Sequence, residues 1–194
     1  MKVLSKETRI CALCNNVEPF NSDRKGKFAD NKKWMFILNA ADKRVLHPTL
    51  FGEDYDTALG KTHTGKILGQ FFKYSTISIE DIYLTNAYKC LPVTPKGKDR
   101  KPKKKEYQNC SNILRFQIQE FAPKKIIVFG EPAYETLFSN QQEVKPFDEA
   151  IKSIENAYNG IPICAMNHPG EIWWNDRTAK EAKFGIMKFF LKNK

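Results

Sequence analysis

Four apolar runs set the limits on what this chain can fold into. Trp34-Met35-Phe36-Ile37-Leu38, Ile82-Tyr83-Leu84-Thr85, Lys125-Ile126-Ile127-Val128-Phe129 and Ile161-Pro162-Ile163-Cys164-Ala165 are short and leave no polar face. Such runs predict strands buried on both sides, as in parallel sheets. Helical spacing fills the intervals. From Lys105 to Phe121, apolar side chains recur at Tyr107, Cys110, Ile113, Leu114, Ile118 and Phe121. A second stretch, about Arg177 to Leu191, places Ala179, Ala182, Ile186, Met187 and Phe190 on one side. Gly130-Glu131-Pro132 ends a strand and opens a short helix through Leu137, with proline near its first turn. The alternation predicts an α/β fold: a three-layer αβα sandwich with a central, mainly parallel four-stranded sheet. A length of 194 residues fits one domain over 1–194, with an inserted loop at about 43–59 and a basic loop at 96–105.

Sheets of this kind bind ligands at the carboxyl ends of their strands. Polar residues gather there: Asn39 after the first run, Asn86 at the mouth of the second, Gly130 after the third, and Asn167-His168-Pro169-Gly170 after the fourth. Alone, an Asn after a strand is ordinarily a turn residue, and a lone His ordinarily a satisfied one. Convergence on one sheet edge makes them candidates for a site.

Four of the five cysteines form a second pattern: Cys11-Ala12-Leu13-Cys14, then Cys90, then Cys110. A close pair plus two distant thiols can wrap one metal centre and tie the chain's start to its middle. Four thiolates suit an iron–sulfur cluster or zinc, and spacing does not choose between them. Unrelated buried thiols are the plainer alternative. Cys164 lies inside a strand pattern and reads as a core thiol. Met1-Lys2-Val3-Leu4-Ser5-Lys6-Glu7 lacks the apolar core of a signal peptide, and no apolar run has the ~18 residues of a membrane span. The expectation is a cytoplasmic protein, not membrane-associated and monomeric, whose thiols serve metal chemistry rather than disulfides.

The net charge is +10, from 32 Lys and Arg against 22 Asp and Glu. That excess favours a polyanionic partner. It is densest at Lys96, Lys98, Arg100, Lys101, Lys103, Lys104 and Lys105, opposed only by Asp99 within the run. A solvated loop would look the same. Held between two metal ligands, Cys90 and Cys110, the loop would instead present its charges to phosphates in a fixed place.

In combination these segments resemble the iron–sulfur (family 4) branch of the uracil-DNA glycosylase superfamily, over nearly the whole length. Thr85-Asn86-Ala87-Tyr88-Lys89-Cys90-Leu91-Pro92 is similar to the family's T-N-x-x-K-C-x-P segment, and Asn167-His168-Pro169-Gly170 to its closing H-P motif. Gly160-Ile161-Pro162 matches its last strand opening. The resemblance implies a monofunctional DNA glycosylase with a 4Fe–4S cluster on Cys11, Cys14, Cys90 and Cys110, acting on DNA as partner. It implies that His168 donates to the pyrimidine O2 and that Asn86 reads the base edge. Lys98, Arg100, Lys101 and Lys103 would meet phosphates. Ile172, Trp173 and Trp174 would fill the gap left by a flipped nucleotide, although a Trp pair reads equally well as core or partner contacts.

Two departures bear on the substrate. The family's G-E-x-P-G motif reads here Leu38-Asn39-Ala40-Ala41-Asp42, which puts Asn39 at the acid position with Asp42 as a substitute. A rival alignment uses Gly52-Glu53. The G-R-P-F-V-G segment reads Gly60-Lys61-Thr62-His63-Thr64-Gly65, so His63 replaces the Phe that stacks on the base. With Ala40 and Ala41 in place of a rigid proline-bearing wall, the pocket is expected to be roomier and more polar than uracil requires. A hydroxymethylated or glucosylated cytosine of phage DNA, excised in antiphage defence, fits that expectation. Ordinary uracil repair is the alternative, and a catalytically inactive nucleic-acid binder a third.

Overall fold

A computed structural model describes residues 17–19, 34–40, 60–96, 98, 100–154, 156–171 and 174–193. Cys11, Cys14, Ala41, Asp42, the 43–59 loop with Gly52-Glu53, Ile172 and Trp173 lie outside the described residues. In chain order the elements are β1 (Val17–Pro19), β2 (Trp34–Ala40), α1 (His63–Ser75), a 3-10 turn (Ile79–Asp81), β3 (Ile82–Tyr88), β4 (Cys90–Pro92) and α2 (Lys104–Phe121). There follow β5 (Lys125–Phe129), α3 (Glu131–Leu137), α4 (Phe147–Ala150), β6 (Asn156–Tyr158), β7 (Ile161–Met166) and α5 (Arg177–Lys192).

All four predicted strands form, within an α/β sandwich, but among the described residues the sheet has five strands, in the order β3-β2-β5-β7-β6. The four from the apolar runs are parallel, and β6 adds an antiparallel edge beside β7. Asn159 and Gly160, both at positive φ (49° and 79°), turn the chain between them. An Asn-Gly pair suits that hairpin because both central residues must adopt left-handed backbone.

From β2 the chain runs outward to β3 on one side, and β5 then resumes on the other. Right-handed crossovers in opposite directions put α1 and α2 on opposite faces. Side-chain alternation confirms it. Trp34, Phe36, Leu38, Ile82, Leu84, Ile127, Phe129, Cys164 and Met166 face α1 and α5. Met35, Ile37, Tyr83, Ala87, Ile126, Val128, Ile163 and Ala165 face α2 and α3. Separately, β1 and β4 form a two-stranded antiparallel ribbon, with Pro19 opposite Cys90. Among the described residues no helix is long and apolar enough to cross a membrane.

Helix α1 starts at the segment read as a base-stacking motif. The Thr62 hydroxyl accepts from the Gly65 N–H at 2.9 Å, satisfying one of the first-turn amides. Ile67, Leu68 and Phe71 then turn into the core. Helix α5 is capped in the same way, the Asp176 carboxylate accepting from Ala179 N–H at 2.6 Å.

Candidate active site

The reversal of strand order between β2 and β5 leaves a crevice at their carboxyl ends, the place where open α/β sheets take ligands. Ile37 pairs with Val128, so the next outward step brings Asn39 level with Gly130. Asn39 Oδ1 accepts the Ala133 N–H of α3 at 3.1 Å. Gly130 has φ +87°, and a Cβ there would lie 2.7 Å from Asn39 Nδ2. Glycine is required twice over, for the backbone and for the contact. With its oxygen engaged and no carboxylate, Asn39 can donate through its amide but is a poor base. Ala40 is half-buried beside it and pairs with Tyr88.

Asn86 sits inside β3 rather than at its mouth, because the strand continues to Tyr88. It pairs with Leu38 and is 2% exposed. In a parallel pair, residues in register point the same way, so Asn86 shares Leu38's face, toward α1 and α5. Asn39, one residue on, turns to α3. The two asparagines therefore serve opposite faces of the sheet edge.

His168 follows β7. Its Nδ1 accepts the Gly170 N–H at 3.1 Å, which leaves the ring proton on Nε2. Burial pushes its pKa down to about 4, since the charged ring would lose its hydration. The result is a neutral imidazole with a fixed tautomer and a directed donor. Helix α1 closes on this loop: a Cβ at Gly170 would lie 3.8 Å from Thr64 Oγ1. His63, exposed, opens α1 immediately before Thr64.

Trp174 is not a wedge. Only 1% exposed, it packs in the core with its ring 5.9 Å from Phe184, and its Nε1–H donates to the Asn167 carbonyl at 3.3 Å. Cys164 is a core thiol as read from sequence, its pKa pushed up to about 12 by burial.

The basic loop runs from β4 to α2. Lys98, Lys101 and Lys103 are exposed. Arg100 has a different place. Its NH1 and NH2 donate to the two Glu106 carboxylate oxygens at 2.8 and 2.5 Å, and its Nε to the Val93 carbonyl at 3.0 Å. Glu106 in turn accepts the Lys103 N–H at 2.7 Å, capping α2. The charge run therefore supplies its own strut, with Arg100's guanidinium half-buried and engaged by Glu106.

Cys90 and Cys110 are buried in the same layer, 3% and 1% exposed. The β1–β4 ribbon lays the chain just beyond Cys14 alongside Cys90. Soft, buried thiols of this kind suit an iron–sulfur cluster in their chemistry. Among the described residues no three His, Cys, Asp or Glu could hold a metal, so the fit requires Cys11 and Cys14.

The burial of one residue of the Thr85–Pro92 segment was invisible in the sequence. Lys89, next to Cys90, is 1% exposed, and its Nζ donates to Thr85 Oγ1 and Gln117 Oε1, each at 2.5 Å. This bridge joins β3, which carries Asn86, to α2, which carries Cys110.

Comparison with known proteins agrees with this geometry. Residues 20–188 match the family model described as the Uracil DNA glycosylase superfamily. A Type-4 uracil-DNA glycosylase from Archaeoglobus fulgidus is 23% identical over 128 residues, covering 64% of this chain and 62% of that protein.

Proposed function

Because this chain belongs to the uracil-DNA glycosylase superfamily, we propose that it is a monofunctional DNA glycosylase that hydrolyses the N-glycosidic bond of a flipped-out modified pyrimidine. The observation that carries the reading is the neutral His168 ring, its Nδ1 occupied by the Gly170 N–H and its Nε2–H free to act. When the C1′–N1 bond breaks, the electron pair leaves with the base and negative charge gathers on O2. Nε2–H stabilises that charge with no proton transfer, as an oxyanion donor does. Water adds to C1′ and loses a proton, and the released base anion takes one up from solvent, completing the hydrolysis. Asn39 orients that water through its amide, and Asp42 is the candidate proton acceptor. From the floor of the pocket, Asn86 reads the base edge with an amide that offers both donor and acceptor.

Cys11, Cys14, Cys90 and Cys110 are proposed to hold a 4Fe–4S cluster, zinc being the less favoured occupant. When bound it supplies a structural clip, since glycosidic hydrolysis moves no electrons. Lys98, Lys101 and Lys103 lie on phosphates, with Arg100 bracing them; Ile172 and Trp173 are the residues proposed to enter the duplex. A cytoplasmic monomer is the proposed state.

The neutral Asn39 and the replacements at Ala40, Ala41 and His63 favour a larger, more polar base than uracil, such as a hydroxymethylated or glucosylated cytosine of phage DNA. Excision would leave abasic sites in invading DNA. The relative's description as a uracil-DNA glycosylase favours a second reading, uracil removal in base-excision repair. Mass spectrometry of bases released from DNA carrying uracil, hydroxymethylcytosine or glucosylated hydroxymethylcytosine separates the two. The modified cytosine is the expected product. Uracil alone would establish the repair reading, and no release from any substrate would leave a nucleic-acid binder.

A further inference from the structure

Both peptide groups of His168 are gripped by one residue. Its N–H donates to Glu171 Oε1 at 3.4 Å, and its carbonyl accepts the Glu171 N–H at 2.9 Å. The preceding carbonyl, of Asn167, accepts Trp174 Nε1–H at 3.3 Å, and the Trp174 N–H donates to the Glu171 carbonyl at 3.2 Å. Trp174 is locked from its other side, with Lys183 Nζ 4.8 Å from its ring centroid and Phe184 against it. The polar anchors of the His168 loop thus trace back through Glu171 and Trp174 to α5.

We propose that Glu171 and Trp174 are positioning residues for His168, fixing the loop so that Gly170 N–H meets Nδ1 and Nε2–H is aimed into the pocket. The proposal deepens the glycosylase reading and, for its kinetic arm, rests on it. The physical logic is one of tolerance: a donor misplaced by an ångström loses most of its effect on a developing charge. A loop of this length holds a ring still only if its own peptide groups are satisfied in one arrangement.

The test uses the full chain, labelled with 15N-histidine. With 3 histidines in the sequence, His168 is assigned by comparison with a His168→Gln control. Ring nitrogen shifts are expected to show protonated Nε2 and bare Nδ1 in the unaltered protein. Trp174→Phe keeps an aromatic ring but removes the donor to Asn167. Glu171→Ala removes the acceptor for His168 N–H. Each is expected to mix the two tautomers and to slow single-turnover base release about tenfold, with DNA affinity within about twofold. Glu171→Gln retains an acceptor oxygen and is expected to restore both the spectrum and the rate.

An unchanged ring spectrum in both Trp174→Phe and Glu171→Ala overturns the proposal. So does equal loss in Glu171→Gln and Glu171→Ala, which would mean that charge rather than the peptide clamp matters. If Trp174→Phe fails to fold, the two Glu171 variants decide alone. If the unaltered protein releases no base, the glycosylase reading fails, while the ring spectra still decide the positioning claim.

Discussion

The two faces of the sheet are built from different materials. Toward α1 and α5 the core is nearly all hydrocarbon and aromatic: Phe36, Phe71, Phe129, Phe184 and Trp174 pack ring to ring, with Phe36 and Phe129 edge-on at 5.6 Å. Toward α2 and α3, buried polar groups are threaded through the packing, among them Thr85, Lys89, Glu106, Ser111, Gln117 and Thr136. Asn86 and the His168 loop belong to the first face, the two described candidate metal ligands to the second. The difference teaches a division of labour. Rigid apolar packing holds the proposed recognition groups in place, because closely packed rings leave few alternative arrangements. Polar bridges hold the cysteine-bearing helix, because satisfied hydrogen bonds to a buried charge fix one docking geometry.

Variants on each face sharpen or break this contrast. The largest effect belongs to His168→Ala, expected to reduce base release by about 10²–10³-fold, the cost of losing one preorganised donor. DNA affinity and thermal midpoint should hold nearly constant; a parallel collapse in stability would show that this face's polar residue is structural after all. In the unaltered protein the ring stays neutral down to about pH 4, so the pH–rate profile should lack an imidazole inflection near pH 6.5.

Gln117→Leu on the opposite face is expected to reverse the pattern. It withdraws an acceptor from a buried ammonium and should cost about 2–3 kcal/mol in denaturant unfolding. Single-turnover rates on the folded protein should barely move. An unchanged midpoint would remove the claim that Lys89 docks α2.

A smaller effect, with a sign that can be stated beforehand, attaches to Arg100 and Glu106. The Arg100 hydrogen bond holds the Glu106 carboxyl below the usual carboxylate range. A depressed folded value contributes stability above the unfolded value, 4.5, that is lost as pH falls through the folded one. Arg100→Ala should therefore lower the melting temperature at pH 7 and flatten its decline below pH 4.5. Equal decline in both proteins would show that the pair contributes nothing. Least in energy is replacement of Lys98, Lys101 and Lys103 by alanine, which should reduce the salt slope of DNA binding by about 0.9 for each phosphate left unneutralised. Saturated rates should be unaffected, and an unaltered slope would place the DNA elsewhere.

The four central strands were legible because both of their sides are apolar, a pattern no loop imitates. Asn39, Gly130 and His168 followed from them, since strand ends in a parallel sheet converge. Edge strand β6 has only three residues, too few for a periodic signal, yet its Asn159-Gly160 turn was there to be read. Helix α1 was obscured by Gly60, Gly65 and Gly69, although Ile67, Leu68 and Phe71 have helical spacing. The pairing of Arg100 with Glu106 was not legible for a physical reason: a run of charges says nothing about whether an acid six residues later folds back. The core packing of Trp174 was not legible either, because the chemistry of a tryptophan suits a buried ring and a wedge alike. Lys89 was the least legible, because burial of a lysine depends on acceptors remote in sequence.

Ribbon β1–β4 carries a consequence for synthesis. Val17–Pro19 leaves the ribosome long before its partner Cys90–Pro92, while β2 can pair with β3 as soon as Tyr88 has emerged. The nascent chain must keep its first strand waiting through the making of the intervening segment. Loop closure over that distance grows only slowly in cost with length, so the wait is tolerable thermodynamically. Its hazard is kinetic: an unmatched strand edge is open to wrong partners until translation passes Pro92.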